Sequence, residues 1–338
     1  MAYSGSGVSS SLAMPRPHHP RFALTGHAFG LVALLAFPSA SLAAEESTES
    51  ESAVVEVATS ARESLRATTE WLARGVDSWF GDRPFEDGGS VRNGRFDLRL
   101  LLRERKAPDL GVRFNASFRL PNIENRSALL FLGRDNPREV VSDQPDALSR
   151  EQHLQRGNAR DDAFFAGLGV QGGGGFDFRL GLRGGPKPYA QIRYRHEWQL
   201  GPDDALDFRE TVFWTRDDRV GSTTALSYEH DFSPTLVGRW LNAATITQRS
   251  ERFEWSSNLG LYRFFGDQRL LSTEALFRGR EGGGVNVEEY GLQLSWEQPL
   301  HDDWLLGEIS VGHFREREIA TEPRRGLWAL GLNLKIRF

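Results

Sequence analysis

The residues able to do chemistry are few and badly spaced for it. Beyond residue 45 the histidines are His153, His196, His230, His301 and His313, and the chain has no cysteine. Without cysteine there is no thiolate nucleophile, zinc–thiolate site or disulfide framework. In "YEHDFS" (228–233) His230 is followed by Ser233. A nucleophilic serine needs its base within hydrogen-bond reach, and on an extended strand a residue three positions on points to the opposite face. The stretch "YRHEW" has a similar pattern, with Tyr194, His196 and Trp198 on one face as are Tyr228, His230 and Phe232. Their companions are aromatic, so both sets read as boundary residues between apolar and polar surroundings. His301 with Asp302 and Asp303 belongs to a turn and reads as solvated. Gly167, Gly169 and Gly172 spell GxGxxG, but "GGGFDFRL" follows as a strand, and a dinucleotide site requires a helix N-terminus there. Asp217 and Asp218 offer carboxylates to a divalent cation at a loop, without calcium-loop spacing. No catalytic residues, metal site or cofactor are expected, and the chain does not read as an enzyme.

The elements that carry these residues repeat with a period of two. "RFDLRLLLRER" sets Phe96, Leu98, Leu100 and Leu102 against Asp97, Arg99 and Arg103. "LGVRFNASFRL", "FDFRLGLR", "AQIRYRHEW" and "YGLQLSWE" alternate in the same way. Alternation of this kind makes a strand with one apolar face. Turn chemistry such as "GPDD", "FSPT", "FGDQ" and "REGGG" recurs every 15–18 residues. Fourteen strands are predicted, near 94–105, 110–120, 126–134, 161–171, 176–184, 188–200, 204–216, 221–232, 235–248, 252–265, 269–280, 285–298, 304–316 and 326–338. Twelve is the alternative, because the third to fifth are the least regular. Short links fall at one end and long ones, including 137–160, at the other. Glu210 stands on the apolar face beside Phe208 and Val212, which calls for a bulge turning it inward or a shifted register.

The N-terminal part is different. The ten-residue apolar run 28–37 is too short to span a bilayer. It follows Arg16 and Arg21 and precedes "PSASLAAEE", the order of a secretory signal cleaved after Ala43. Its removal takes the formal charge from −5 to about −7 by loss of those two arginines, which argues against nucleic acid. Residues 45–53 read as a disordered acidic start. Residues 54–80 carry Val54, Ala58, Ala61, Leu65, Leu72, Val76 and Phe80 at helical spacing. The expected division is therefore a signal peptide at 1–43, the acidic start with a periplasmic or plugging helix at 44–92, and a strand domain at 93–338.

Trp198, Tyr194, Tyr228, Trp296 and Trp304 lie near predicted strand ends, as in an aromatic girdle. The chain ends "GLWALGLNLKIRF", with Trp328, Leu332, Leu334, Ile336 and Phe338 on one face. This ending, with the alternating strands and the leader, resembles bacterial outer-membrane β-barrel proteins. The resemblance covers residues 94–338 as an architecture and points to no subfamily. It implies an all-β, antiparallel up-and-down transmembrane barrel in the outer membrane of a Gram-negative bacterium. It also implies lipid, lipopolysaccharide and the barrel-assembly machinery as partners, the last reading the terminal strand. A soluble β-sandwich or lipocalin-like barrel is the competing fold. The outer-membrane phospholipase A enzymes place His and Ser two apart on one strand face, and the spacing here does not match them.

In such a barrel the polar face points inward. Arg99, Arg103, Arg113, Arg119, Arg179, Arg183, Arg193, Arg195 and Arg278 are then candidate lumen-lining residues, with Glu197, Asp231, Glu274 and Glu297. Two functions compete, with a barrel hydrolase as the third reading. These charges either line a passive channel for small polar solutes or pair across a closed structural or assembly barrel. In the second case the 54–80 helix binds a periplasmic partner or another copy.

Overall fold

The computed structural model describes residues 44–77, 89–119, 128–135, 162–266, 268–282, 285–317 and 319–338. The leader at 1–43 and the long link at 137–160 lie outside them.

Alternating sequence becomes strand wherever it was expected. The strands are β1 (Ser90–Arg103), β2 (Asp109–Arg119), β3 (Ala128–Asp135), β4 (Ala163–Gln171), β5 (Phe176–Arg183), β6 (Lys187–Gln199) and β7 (Asp204–Thr215). They continue as β8 (Arg219–Ser233), β9 (Leu236–Thr247), β10 (Glu254–Phe265), β11 (Arg269–Arg280), β12 (Glu289–His301), β13 (Leu305–Glu316) and β14 (Arg325–Arg337). Each pairs antiparallel with its sequence neighbours, and β1 pairs with β14 from Arg95↔Arg337 to Arg103↔Ala329, so the fourteen strands close. Closure satisfies every edge, as a lipid environment without water demands. The C-terminus shares one rim, the near rim, with the links after β4, β6, β8, β10 and β12, and the links after β1, β5, β7, β9, β11 and β13 share the far rim. At the far rim Gly184 and Gly185 take φ of 57° and 98°, which lets β5 turn into β6 within three residues.

Burial alternates with the sequence. On β5 the apolar Phe176, Phe178, Leu180 and Leu182 are exposed, and Arg183 on the other face is buried. A water-soluble sandwich buries its apolar face; this barrel exposes it around most of its circumference. Leu259, Leu261, Leu292, Leu294 and Val311 continue that outward belt. Among the described residues no helix is long and apolar enough to cross a membrane.

The helix α1 spans Ala44–Asp77, so the expected disordered start at 45–53 is helical. Its described contacts correct the expectation of a plug. Ala58 packs with Trp304, Leu305 and Ile336, and Ala61 and Leu334 pack against that cluster. Leu65 joins Phe96, Leu98, Val112 and Phe114. Apart from Trp304 in the turn before β13, those partners are on the outward face of β13, β14, β1 and β2, toward the near rim. The apolar stripe of the helix thus meets the apolar outside of the wall, which is where its burial gains most. The Arg62 guanidinium lies 4.9 Å over Trp304 and donates to the Arg337 carbonyl at 3.0 Å.

Candidate functional site

The inward face is polar because alternation leaves it so, and it divides into two sectors. In the first, formed by β10–β14 with β1–β3 and Asp162 before β4, charges are packed together. Lys335 is 1% exposed; its ammonium bonds Glu297 and sits 2.6 Å from Glu308. Asn333 donates to Glu308 at 3.1 Å, and Ser310 donates to it at 3.2 Å. Asp97 stands directly across from Lys335 and receives Arg95 at 3.0 Å. Arg113 meets Asp135 at 3.1 Å, and Arg99 and Arg113 each lie 3.9 Å from Asp162. The Tyr262 hydroxyl donates to Glu274, and Arg278 donates to Glu289 at 2.6 Å. Leu101, Leu276, Phe314, Leu327 and Ala329 form an apolar cluster on this same inner wall, toward the far rim.

In the second sector, β5–β9, the inward face is exposed toward the near rim and buried deeper, at Gln191, Thr211, Thr223 and Ser227. Arg193 donates to Asp177 through Nε at 3.0 Å and Nη2 at 2.7 Å. Two positions on, Arg195 and Glu197 share the inward face and are exposed. Arg209 pairs across from Arg195 and is buried. Arg239 reaches Ser227 at 2.7 Å and Glu229 at 3.2 Å. Asp231 is half-buried on this face. Arg179 lies 4.7 Å over the Phe131 ring. Gly167 and Gly169, part of the GxGxxG match, belong to β4. A Cβ at Gly169 would fall 2.5 Å from Phe131, so the glycine makes room for that ring. Arg103 and Arg119 are half-buried on the inward face.

At the far rim Arg183 donates to Asp218 at 3.0 Å and Lys187 to Asp217 at 3.1 Å. The loop carboxylates therefore face cations of this chain. The Lys187 hydrogen bond holds the Asp217 carboxyl below the ordinary carboxylate range. No group of three or more potential metal ligands occurs among the described residues.

On the outer wall Trp198 and Tyr228 are exposed, and Tyr194 and Trp296 are half-buried. Trp304 differs: it is 5% exposed because α1 covers it. Asp204 accepts from Tyr228 at 2.5 Å and meets His230 Nδ1 at 2.8 Å on this outer face. Ser233 sits beyond a register shift, 3.5 Å from Thr235. Of the terminal set, Trp328 is 60% exposed, while Ile336 lies under α1 and Leu334 packs beside it. The Phe338 ring stacks with Phe114 at 6.4 Å between centroids and lies over Gly94. Lys335, Asn333, Arg95, Asp135 and Asp162 were not among the candidate lining residues. The alternation of the final strand, which places Lys335 opposite Leu334 and Ile336, was the signal for the first of them.

No family model matches the chain, and no curated protein matches it. Among solved structures it is similar to the outer-membrane OmpT of Vibrio cholerae at 11% identity, over 74% of this chain and 98% of that one, with a TM-score of 0.44. It is similar to an anion-selective porin from Comamonas acidovorans at 11% identity, over 74% and 100%, with a TM-score of 0.41. It is also similar to the KdgM porin at 6% identity, over 72% and 98%, with a TM-score of 0.36. The architecture itself is a closed antiparallel barrel of fourteen strands with an apolar outer face.

Proposed function

We propose that the chain is an outer-membrane channel that passes small polar solutes through the sector lined by β5–β9. One observation carries this: Arg195 and Glu197 project inward and are still exposed. Charged side chains of a wall stay exposed only where water reaches them. Width agrees with this. Fourteen strands at about 4.8 Å spacing and a tilt of about 40° give a backbone diameter of about 28 Å. Eight-stranded barrels are filled by their own side chains, and barrels of 16–18 strands hold water. In this proposal the near rim is periplasmic, the leader is cleaved on export, and the terminal strand engages the assembly machinery.

A specific observation favours a second function, a closed structural barrel: the Lys335–Glu297–Glu308 cluster and its neighbours pack one sector of the lumen. Single-channel conductance of the folded protein in a planar bilayer separates the two. A channel gives reproducible steps, and Arg195→Glu shifts the ion selectivity toward cations. A protein with native folded mobility that gives no steps refutes the channel.

A further inference from the structure

Glu210 is the residue that the alternation could not place, and the structure keeps it outward. β7 and β8 pair without a bulge from Asp204↔His230 to Thr215↔Arg219. Glu210 shares its face with Phe208 and with Val212, which is 44% exposed. It is midway along β7, six residues after Asp204. A carboxyl group at that depth of a lipid-facing wall is costly. Its own chain answers part of the demand: the Ser222 hydroxyl donates to Oε1, and Thr224 donates to Oε2 at 2.7 Å.

A second polar group lies on the same outer wall. Asn242 on β9 accepts from Ser257 at 2.8 Å, and Ser257 accepts from Trp240 at 3.1 Å. With its oxygen engaged this way, the Asn242 amide presents an NH2 for which no acceptor is found among the described residues. Asn242 is six residues after Leu236, the near-rim start of β9, as Glu210 is from Asp204. The two therefore sit at one depth. Glu210 pairs across to Thr224 and Asn242 pairs across to Leu226, so β8 runs between them with Thr224 and Leu226 both outward and exposed. Ala244 and Ser222 flank them with small side chains that let two walls approach.

We propose that the outer face of β7–β9 is a self-association surface. Two copies pack about a two-fold axis along the membrane normal that crosses β8 between Thr224 and Leu226. Such an axis preserves depth and exchanges the strands on either side of β8. It brings Glu210 of each copy against Asn242 of the partner subunit, an acceptor facing a donor that has none. A second copy is the occupant because it alone supplies that donor at that depth twice over. α1 covers β13, β14, β1 and β2, on the other side of the barrel. The proposal rests on the wall facing lipid and not on an open lumen, so an absence of conductance leaves it standing.

The chain has no cysteine, so one introduced thiol is the only one present. Leu226→Cys is compared with Leu292→Cys, an equally lipid-facing position on β12 that is 62% exposed. Both are folded in phospholipid vesicles, checked for native mobility on unheated gels and oxidised. Disulfide-linked dimers are expected from Leu226→Cys and at least fivefold fewer from Leu292→Cys. Adding Glu210→Leu to Leu226→Cys is expected to lower the dimer fraction severalfold; Asn242→Ala serves if that variant does not fold. Equal cross-linking at both positions, none at Leu226→Cys, or dimers indifferent to Glu210 and Asn242 would overturn the proposal and leave the patch facing lipid.

Discussion

Replacing Lys335 by Met tests the packed sector of the lumen. Lys335 is 1% exposed, and it faces Glu297 and Glu308, whose side chains are 9% and 0% exposed. Methionine preserves most of the volume, so the change removes charge and little else. Two buried carboxylates then lose their shared cation, and Asp97 loses the cation across the β1–β14 seam. Breaking a buried pair in this way costs about 3–5 kcal/mol. With a guanidinium dependence of about 4 kcal/mol/M, the unfolding midpoint should fall by about 1 M. The assay is loss of native gel mobility and of tryptophan fluorescence along a denaturant series in detergent. A rescue arm isolates the cause. Adding Glu297→Gln and Glu308→Gln removes the unpaired charges, and stability should return to within about 2 kcal/mol of the parent. As a contrast, Lys187→Ala breaks the exposed pair with Asp217 and should cost under about 1 kcal/mol. The reasoning fails if Lys335→Met costs less than about 1 kcal/mol, which means water solvates the site. It also fails if the triple variant is less stable than the single one.

Two further perturbations address the near rim. In Gly94→Val a Cβ would stand 2.4 Å from the Phe338 ring, so the ring must leave its seat against Phe114. Overpacking of this size costs about 1–3 kcal/mol, and pairing the change with Phe338→Leu should recover part of the loss in the same denaturant series. Leu65→Asp puts a carboxylate among Phe96, Leu98, Val112 and Phe114 and should release α1 from the wall. Trypsin would then cut at Arg62, Arg66 or Arg74 while the barrel keeps its native mobility; a helix that stays protected would show that other contacts hold it.

How much was legible follows from the range of each interaction. Period-two alternation is local, and it revealed the strands, fourteen with twelve as the alternative, and their up-and-down order. The final strand's parity sets Lys335 opposite Leu334 and Ile336, but Lys335 was not among the candidate lining residues, and nothing local told that it would meet residues on two other strands. Glu210 shows the limit of local pattern. Its polarity suggested a bulge, but its hydrogen bonds to Ser222 and Thr224 depend on the β7–β8 pairing and keep it outward without one. The helix shows a second limit. Its stripe at Ala58, Ala61 and Leu65 was plain, but an apolar stripe fits an apolar lumen patch, a partner or the outer wall equally well.

The sequence by itself determined an all-β barrel with a charged interior and an apolar exterior, because alternation and turn residues act over a few positions and need no partner. Only the tertiary structure decided which charges share a counter-ion. Lys335 joins Glu297, Glu308 and the seam residue Asp97 because curvature brings β12, β13, β14 and β1 together on one inner wall. Only it decided that α1 lies outside the barrel, because Trp304, Leu305, Ile336, Phe96 and Leu98 become one surface once the first and last strands pair. Both outcomes arise from barrel closure, a contact between residues more than two hundred positions apart that no local pattern encodes.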